Sequence, residues 1–196
     1  MENILFINSC IRNDDVSRTY LLCKAFIEKY KSTHSDVTVT EIKLSALDLR
    51  SYLENDIEER DKALFIGDSE NGIFSLSKKF ASADKILIGA PLWDFSFPSV
   101  LKVYIEHICV NGITFHYTEQ GPEGLSAFSK LFYITTAGGY IGSHNCGVDY
   151  IKTISEFLGC GNFESLSIEG LDIIGNDAEA IMQDGIRKAE ELAERF

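Results

Sequence analysis

Three short, almost unbroken apolar runs constrain what this chain can fold into: Ile4-Leu5-Phe6-Ile7, Lys85-Ile86-Leu87-Ile88-Gly89-Ala90 and Leu131-Phe132-Tyr133-Ile134-Thr135-Thr136. Runs of this kind lack the alternation of a half-solvated sheet and belong to strands covered on both faces. Helical spacing separates them. Ser17 stands ready to cap a helix carrying Leu21, Leu22, Ala25 and Phe26. Further helices are expected around Ile73–Ala83, from Pro98 to Val110, over 144–158 and from Asp177 onward, with Pro98 in a first turn where its missing N–H costs nothing. Val37, Val39 and Ile42 mark a second strand whose alternation suits a sheet edge, and Phe163–Ile168 a fifth. Residues 45–68 read as a charged excursion without regular period. Strands alternating with helices predict an α/β three-layer sandwich with a parallel sheet and helices on both faces.

The chain has 196 residues, 45% hydrophobic and 24% charged, which suits a single domain over 1–196 with a substantial core. Five parallel strands favour the flavodoxin-like order 2-1-3-4-5, in which ligands bind beyond the carboxyl ends of the strands. Lys and Arg number 18 against 30 Asp and Glu, a net charge of −12. That balance argues against nucleic acid or an anionic membrane as partner, so a bound phosphate has to be held by local backbone amides. The five cysteines, Cys10, Cys23, Cys109, Cys146 and Cys160, are odd in number and show no CxxC spacing. Free, mostly buried thiols in a reducing cytoplasm follow. No basic leader and no run of transmembrane length is present in the sequence, which also points to a cytoplasmic protein.

Three loops that a doubly wound sheet projects from one edge differ in chemistry. The first, Ser9–Thr19, puts the hydroxyls of Ser9, Ser17 and Thr19 beside the unpaired N–H groups of a helix start, with Arg12 and Arg18 near. This resembles a phosphate cradle, although Ser17 as a plain N-cap with solvated arginines is an equally simple reading. The second, Pro91-Leu92-Trp93-Asp94-Phe95-Ser96-Phe97, holds the sole tryptophan and has no helix or strand period, which leaves ring stacking and ordinary loop packing both open. The third, Thr136-Ala137-Gly138-Gly139-Tyr140, lets backbone approach a flat ligand closely. Ile113 to Tyr117 alternates and runs into Gly121-Pro122-Glu123-Gly124, an extended flap or short hairpin in which His116 lies between Phe115 and Tyr117.

Other motifs are missing. No G-x-G-x-x-G follows the first strand, and neither a Walker A sequence nor a G-x-S-x-G elbow occurs. His144, Cys146 and Asp149 match no familiar metal or nucleophile spacing, so no metal site is expected, and His107 with Cys109 reads as core.

Taken in order, Ser9, Ser17-Arg18-Thr19, Pro91-Leu92-Trp93-Asp94-Phe95, Gly112-Ile113-Thr114-Phe115-His116-Tyr117-Thr118, Gly121-Pro122-Glu123-Gly124-Leu125 and Thr136-Ala137-Gly138-Gly139 resemble the FMN-dependent NADH azoreductase and quinone reductase family over essentially the whole chain. The resemblance implies a flavodoxin-like homodimer with FMN bound at the dimer interface. It implies phosphate contacts from Ser9, Cys10, Arg12, Ser17, Arg18 and Thr19. Cofactor contacts fall to Pro91 and, against the isoalloxazine, to Leu92, Trp93, Asp94 and Phe95, whose amides would face N5, with Thr136, Ala137, Gly138 and Gly139 on the other side. Phe115, Tyr117 and Tyr140 would wall the substrate pocket. Three departures stand out: Cys10 in place of a serine, Leu92-Trp93-Asp94 in place of Met-Tyr-Asn, and Ala137 in place of an arginine that relatives often carry.

The implied activity is ping-pong transfer of two electrons from NADH or NADPH, through FMN, to quinones or azo compounds. The acidic surface offers no basic pocket for a 2′-phosphate, which favours NADH. Flavin, nitro-compound or metal reduction on the same fold, and a non-enzymatic flavodoxin-like electron carrier, are the alternative readings.

Overall fold

A computed structural model describes residues 1–159 and 162–196; Cys160 lies outside the described residues. The apolar runs form the middle of a five-stranded parallel sheet. Strands β1 (Glu2–Asn8), β2 (Val37–Lys43), β3 (Lys85–Gly89), β6 (Lys130–Thr136) and β7 (Phe163–Ile168) stand in the order β2-β1-β3-β6-β7. This is 2-1-3-4-5 when the main-sheet strands alone are counted, as expected. All seven residues of β6 are buried, whereas β2 at the edge keeps only Ile42 so. Strands β4 (Phe115–Thr118) and β5 (Gly121–Gly124) form the expected hairpin, outside the main sheet.

Successive side chains of a strand point to opposite faces, and each inner strand therefore feeds two cores. Leu5 and Ile7, Ile86 and Ile88, and Leu131 and Tyr133 pack against α4 (Ser99–Ile108) and α5 (Cys146–Leu158). Ile4 and Phe6, Leu87, Phe132 and Ile134 pack against α1 (Arg18–Thr33) and α6 (Ala178–Ala193). Burying each such side chain contributes roughly 1.5–3 kcal/mol before entropy is set against it. Helix α3 (Ser75–Ala81) adds Phe80 to the first core.

The expected helix starts need small corrections. Ser17 does cap α1, accepting from the Tyr20 N–H. Pro98 is the N-cap of α4, which ends at Ile108, and Asn145 caps α5, delaying its start to Cys146. Cys109, the C-cap of α4, is half-buried and packs against the core, whereas His107 is half-buried outside it; the His107 ring lies 4.2 Å from that of Tyr52 and its Nε2 is 2.9 Å from the Arg50 carbonyl. The larger correction is α2 (Glu54–Phe65), a twelve-residue helix inside the segment read as irregular. Its sole buried residue is Ala63, while Ile57 and Phe65 face outward, so no core-facing stripe marks it in the sequence.

Candidate active site

Parallel strands ending at one edge deliver their following loops to one place. Beyond the carboxyl ends of β1, β3, β6 and β7 lies a cleft of about 590 Å³, open mouth included. Arg12, Ser17, Arg18 and Thr19 line one wall, Pro91, Leu92 and Trp93 another, and Thr136, Ala137 and Gly138 a third. Ten of the residues read from sequence therefore meet here.

The wall at α1 starts with Ser17, whose hydroxyl accepts from the Tyr20 N–H at 3.3 Å. The other first-turn N–H groups point outward with the positive end of the helix dipole. Thr19 is buried, its hydroxyl 2.6 Å from that of Thr136, which ties α1 to the end of β6. Arg12 is exposed, and Arg18 donates from Nη1 to the Asp172 carboxylate at 2.7 Å.

Ser9 and Cys10 lie beneath this wall. Both are about 1% exposed and neither lines the cleft, contrary to the direct phosphate contact expected of them. Cys10 donates its N–H to Asn8 Oδ1 at 2.9 Å. Burial pushes its thiol up to about 11, partly countered by the Ser17 hydroxyl. Among the described residues the buried Ser9 hydroxyl has no hydrogen-bond partner.

The aromatic loop owes its lack of period to a tight turn. Trp93 N–H donates to the Ser96 carbonyl at 3.1 Å and Ser96 N–H returns a bond to Trp93 at 2.8 Å. Asp94 and Phe95 between them have φ of 49° and 65°, the left-handed values a mirror-image turn requires. Leu92 N–H donates to the Thr136 carbonyl at 2.9 Å. Two of the four amides expected to face a flavin are thus spent inside the protein, and those of Asp94 and Phe95 remain at the turn's tip. Asp94 and Phe95 stand exposed at the rim, outside the cleft lining.

The glycine loop is paired along one side. Ala137 N–H donates to the Ile168 carbonyl at 2.8 Å, Leu171 N–H to Ala137 at 3.2 Å and Asp172 N–H to Gly138 at 2.8 Å. Gly139 is not part of the lining. Ile11, Val16, Leu171 and Asp172 are, and sequence reasoning passed over them. Leu171 and Asp172 follow the fifth sheet strand, so the rule that selected the loops after strands one, three and four, carried one strand further, would have reached them.

The expected substrate-pocket residues do not join this cleft within one chain. Phe115 packs in the core with its ring 4.9 Å from that of Phe157. Tyr117 is 71% exposed and lines a separate groove with Phe115, Arg60, Leu64 and Phe65. Tyr140, also exposed, accepts from Asn176 Nδ2 at 3.0 Å and lies against Gly170.

A doubly wound sheet whose cleft meets a helix start on one side and the Ala137-Gly138 backbone on the other has the architecture of a nucleotide-type cofactor cleft. The comparisons agree. The family model described as a flavodoxin-like fold matches residues 2–193, and the chain belongs to that family. It is 36% identical over 198 residues to the FMN-dependent NADH:quinone oxidoreductase of Lachnoclostridium phytofermentans, each chain covered in full. It is likewise 36% identical over 205 residues, both fully covered, to FMN-dependent NADH:quinone oxidoreductase 2 of Clostridium perfringens. Among solved structures, an azoreductase from Bacillus anthracis superposes with a TM-score of 0.89 at 28% identity over the whole of both chains.

Proposed function

We propose that this protein is an FMN-dependent oxidoreductase that takes two electrons from NADH and delivers them to quinones or azo compounds. The observation that carries the reading is the cleft, lined by the guanidiniums and hydroxyls of Arg12, Arg18, Ser17 and Thr19 on one side and by Trp93 and Gly138 on the other. The names of its fully overlapping relatives support it.

The residues present fit this cofactor. First-turn N–H groups of α1, the Ser17 hydroxyl, Arg12 and Arg18 match a phosphate dianion. At Gly138 a Cβ would meet Asp172 Oδ2 at 2.4 Å, and the absent side chain leaves room there for the Asp172 carboxylate. When bound, FMN supplies hydride acceptance and two-electron donation. The chain supplies orientation: the Leu92–Thr136 bond fixes Trp93 relative to the glycine loop. One cleft serving donor and acceptor in turn implies ping-pong kinetics.

The residue roles assigned above are part of this proposal, as are a homodimer and a cytoplasmic location. Phe65 at 91% exposed and Tyr117 border one groove, an apolar surface that a second copy of the chain would cover. Cys10, Cys23, Cys109 and Cys146 are all free thiols, which suits a reducing compartment. No described helix is long and apolar enough to cross a membrane.

The test is spectroscopic. Purified protein given FMN and desalted retains flavin bands; anaerobic NADH bleaches them and a quinone restores them. Retained bands that NADH leaves unbleached would indicate an electron carrier, and absence of retained flavin would overturn the reading.

A further inference from the structure

Arg18 is the first residue of α1, next to its N-cap, which makes its guanidinium the cation nearest in the chain to the anion-binding turn. It is not held toward that turn. Its Nη1 pairs with Asp172 Oδ1 at 2.7 Å, across the cleft and from the opposite wall. Asp172 is firmly based there: its N–H is bonded to the Gly138 carbonyl, and its carboxylate projects over Gly138 into the space a Cβ would fill. Among the lining residues Asp172 is the sole carboxylate, and Arg12 and Arg18 are the cations.

Resting on the flavin reading above, we propose that Asp172 sets how strongly this cleft discriminates a phosphorylated flavin from an unphosphorylated one, by competing with the phosphate for Arg18. Asp172 occupies Nη1 of Arg18, so a phosphate dianion entering at α1 has to share the guanidinium with this carboxylate or displace it. A flavin that ends in a hydroxyl leaves the pair intact. The carboxylate therefore subtracts from FMN affinity and is silent for riboflavin. In a chain of net charge −12, where few cations reach the cleft, the occupancy of Arg18 matters.

The experiment is titration of the flavin-depleted full-length protein with FMN and with riboflavin, read by flavin fluorescence quenching. Wild type is compared with Asp172→Asn, Arg18→Gln and the double variant. Since the pair is partly exposed, Asp172→Asn tightens FMN by roughly two- to five-fold and leaves riboflavin unchanged. In the Arg18→Gln background the same substitution has no effect. Asp172→Ser, which removes the same charge with a smaller side chain, gives the same FMN-to-riboflavin ratio and keeps the test decisive if the Asn variant folds poorly. Weaker or unchanged FMN binding, equal tightening of riboflavin, or a full effect without Arg18 would overturn the inference. A wild type that binds neither flavin would instead overturn the flavin reading itself.

Discussion

The hydroxyls of Thr19 and Thr136 lie 2.6 Å apart, a buried hydrogen bond that joins the first turn of α1 to the last residue of β6. Both residues line the cleft, Thr19 on the α1 side and Thr136 on the glycine-loop side.

Thr19→Val or Thr136→Val alone strands a buried hydroxyl, and each is expected to cost about 1–3 kcal/mol. The double variant removes both hydroxyls and should cost less than the sum of the two singles. Urea unfolding of the four proteins measures this; strict additivity would show that the hydroxyls do not depend on each other.

Asp94 places a carboxylate at the rim of the proposed flavin site, at a φ of 49° that asparagine also tolerates. Asp94→Asn therefore removes charge without reshaping the turn. The negative charge disfavours an anionic reduced flavin, so the midpoint potential is expected to rise in the variant. Spectroelectrochemical titration of both proteins checks this, and equal potentials would refute it.

Gly124 and Gly139 should respond oppositely to a methyl group. A Cβ at Gly124 would stand 2.5 Å from the backbone carbon of Leu158, where the hairpin crosses the end of α5. Gly124→Ala is expected to destabilise by about 1–3 kcal/mol. At Gly139 a Cβ would meet no atom within 4 Å. Gly139→Ala should keep the wild-type Tm and, because Gly139 lies outside the cleft lining, leave FMN binding unchanged. Calorimetry with flavin titration checks both expectations.

Acid should loosen the segment around α2. Asp56 accepts from the Arg50 guanidinium and from the Leu53 N–H, and these bonds bring its carboxyl from the ordinary 3.8 down to about 2. A depressed carboxylate contributes stability that is present above 3.8 and fades as pH falls toward about 2. The Tm difference between wild type and Asp56→Asn should hold constant above that window and shrink within it. A difference independent of pH throughout would rule out the ion pair as its source.

Much of this architecture is legible along the chain because its signals are local. The unbroken apolar runs become β1, β3 and β6, the alternating Val37-Thr38-Val39-Thr40 becomes the edge strand β2, and Ser17 caps α1. Helix α2 escaped notice for a physical reason: Ile57 and Phe65 turn away from the core, and the helix is anchored instead by the Arg50–Asp56 pair at its start. Ser9, by chain position, and Cys10, by the family resemblance, are expected on the cleft wall. Both are buried below it, tied down by the bonds from Ser9 N–H to the Gly89 carbonyl and from Cys10 N–H to Asn8 Oδ1.

The sequence by itself determined a five-stranded parallel sheet, its edges, and the character of three loops at one end of it, because hydrophobic period and turn chemistry act within a few residues. Only the tertiary structure decided which side chains meet there. Arg18 and Asp172 are 154 residues apart in the chain and 2.7 Å apart across the cleft. Strand register, sheet twist and the loop beyond β7 together bring them into contact, and no local propensity encodes that sum.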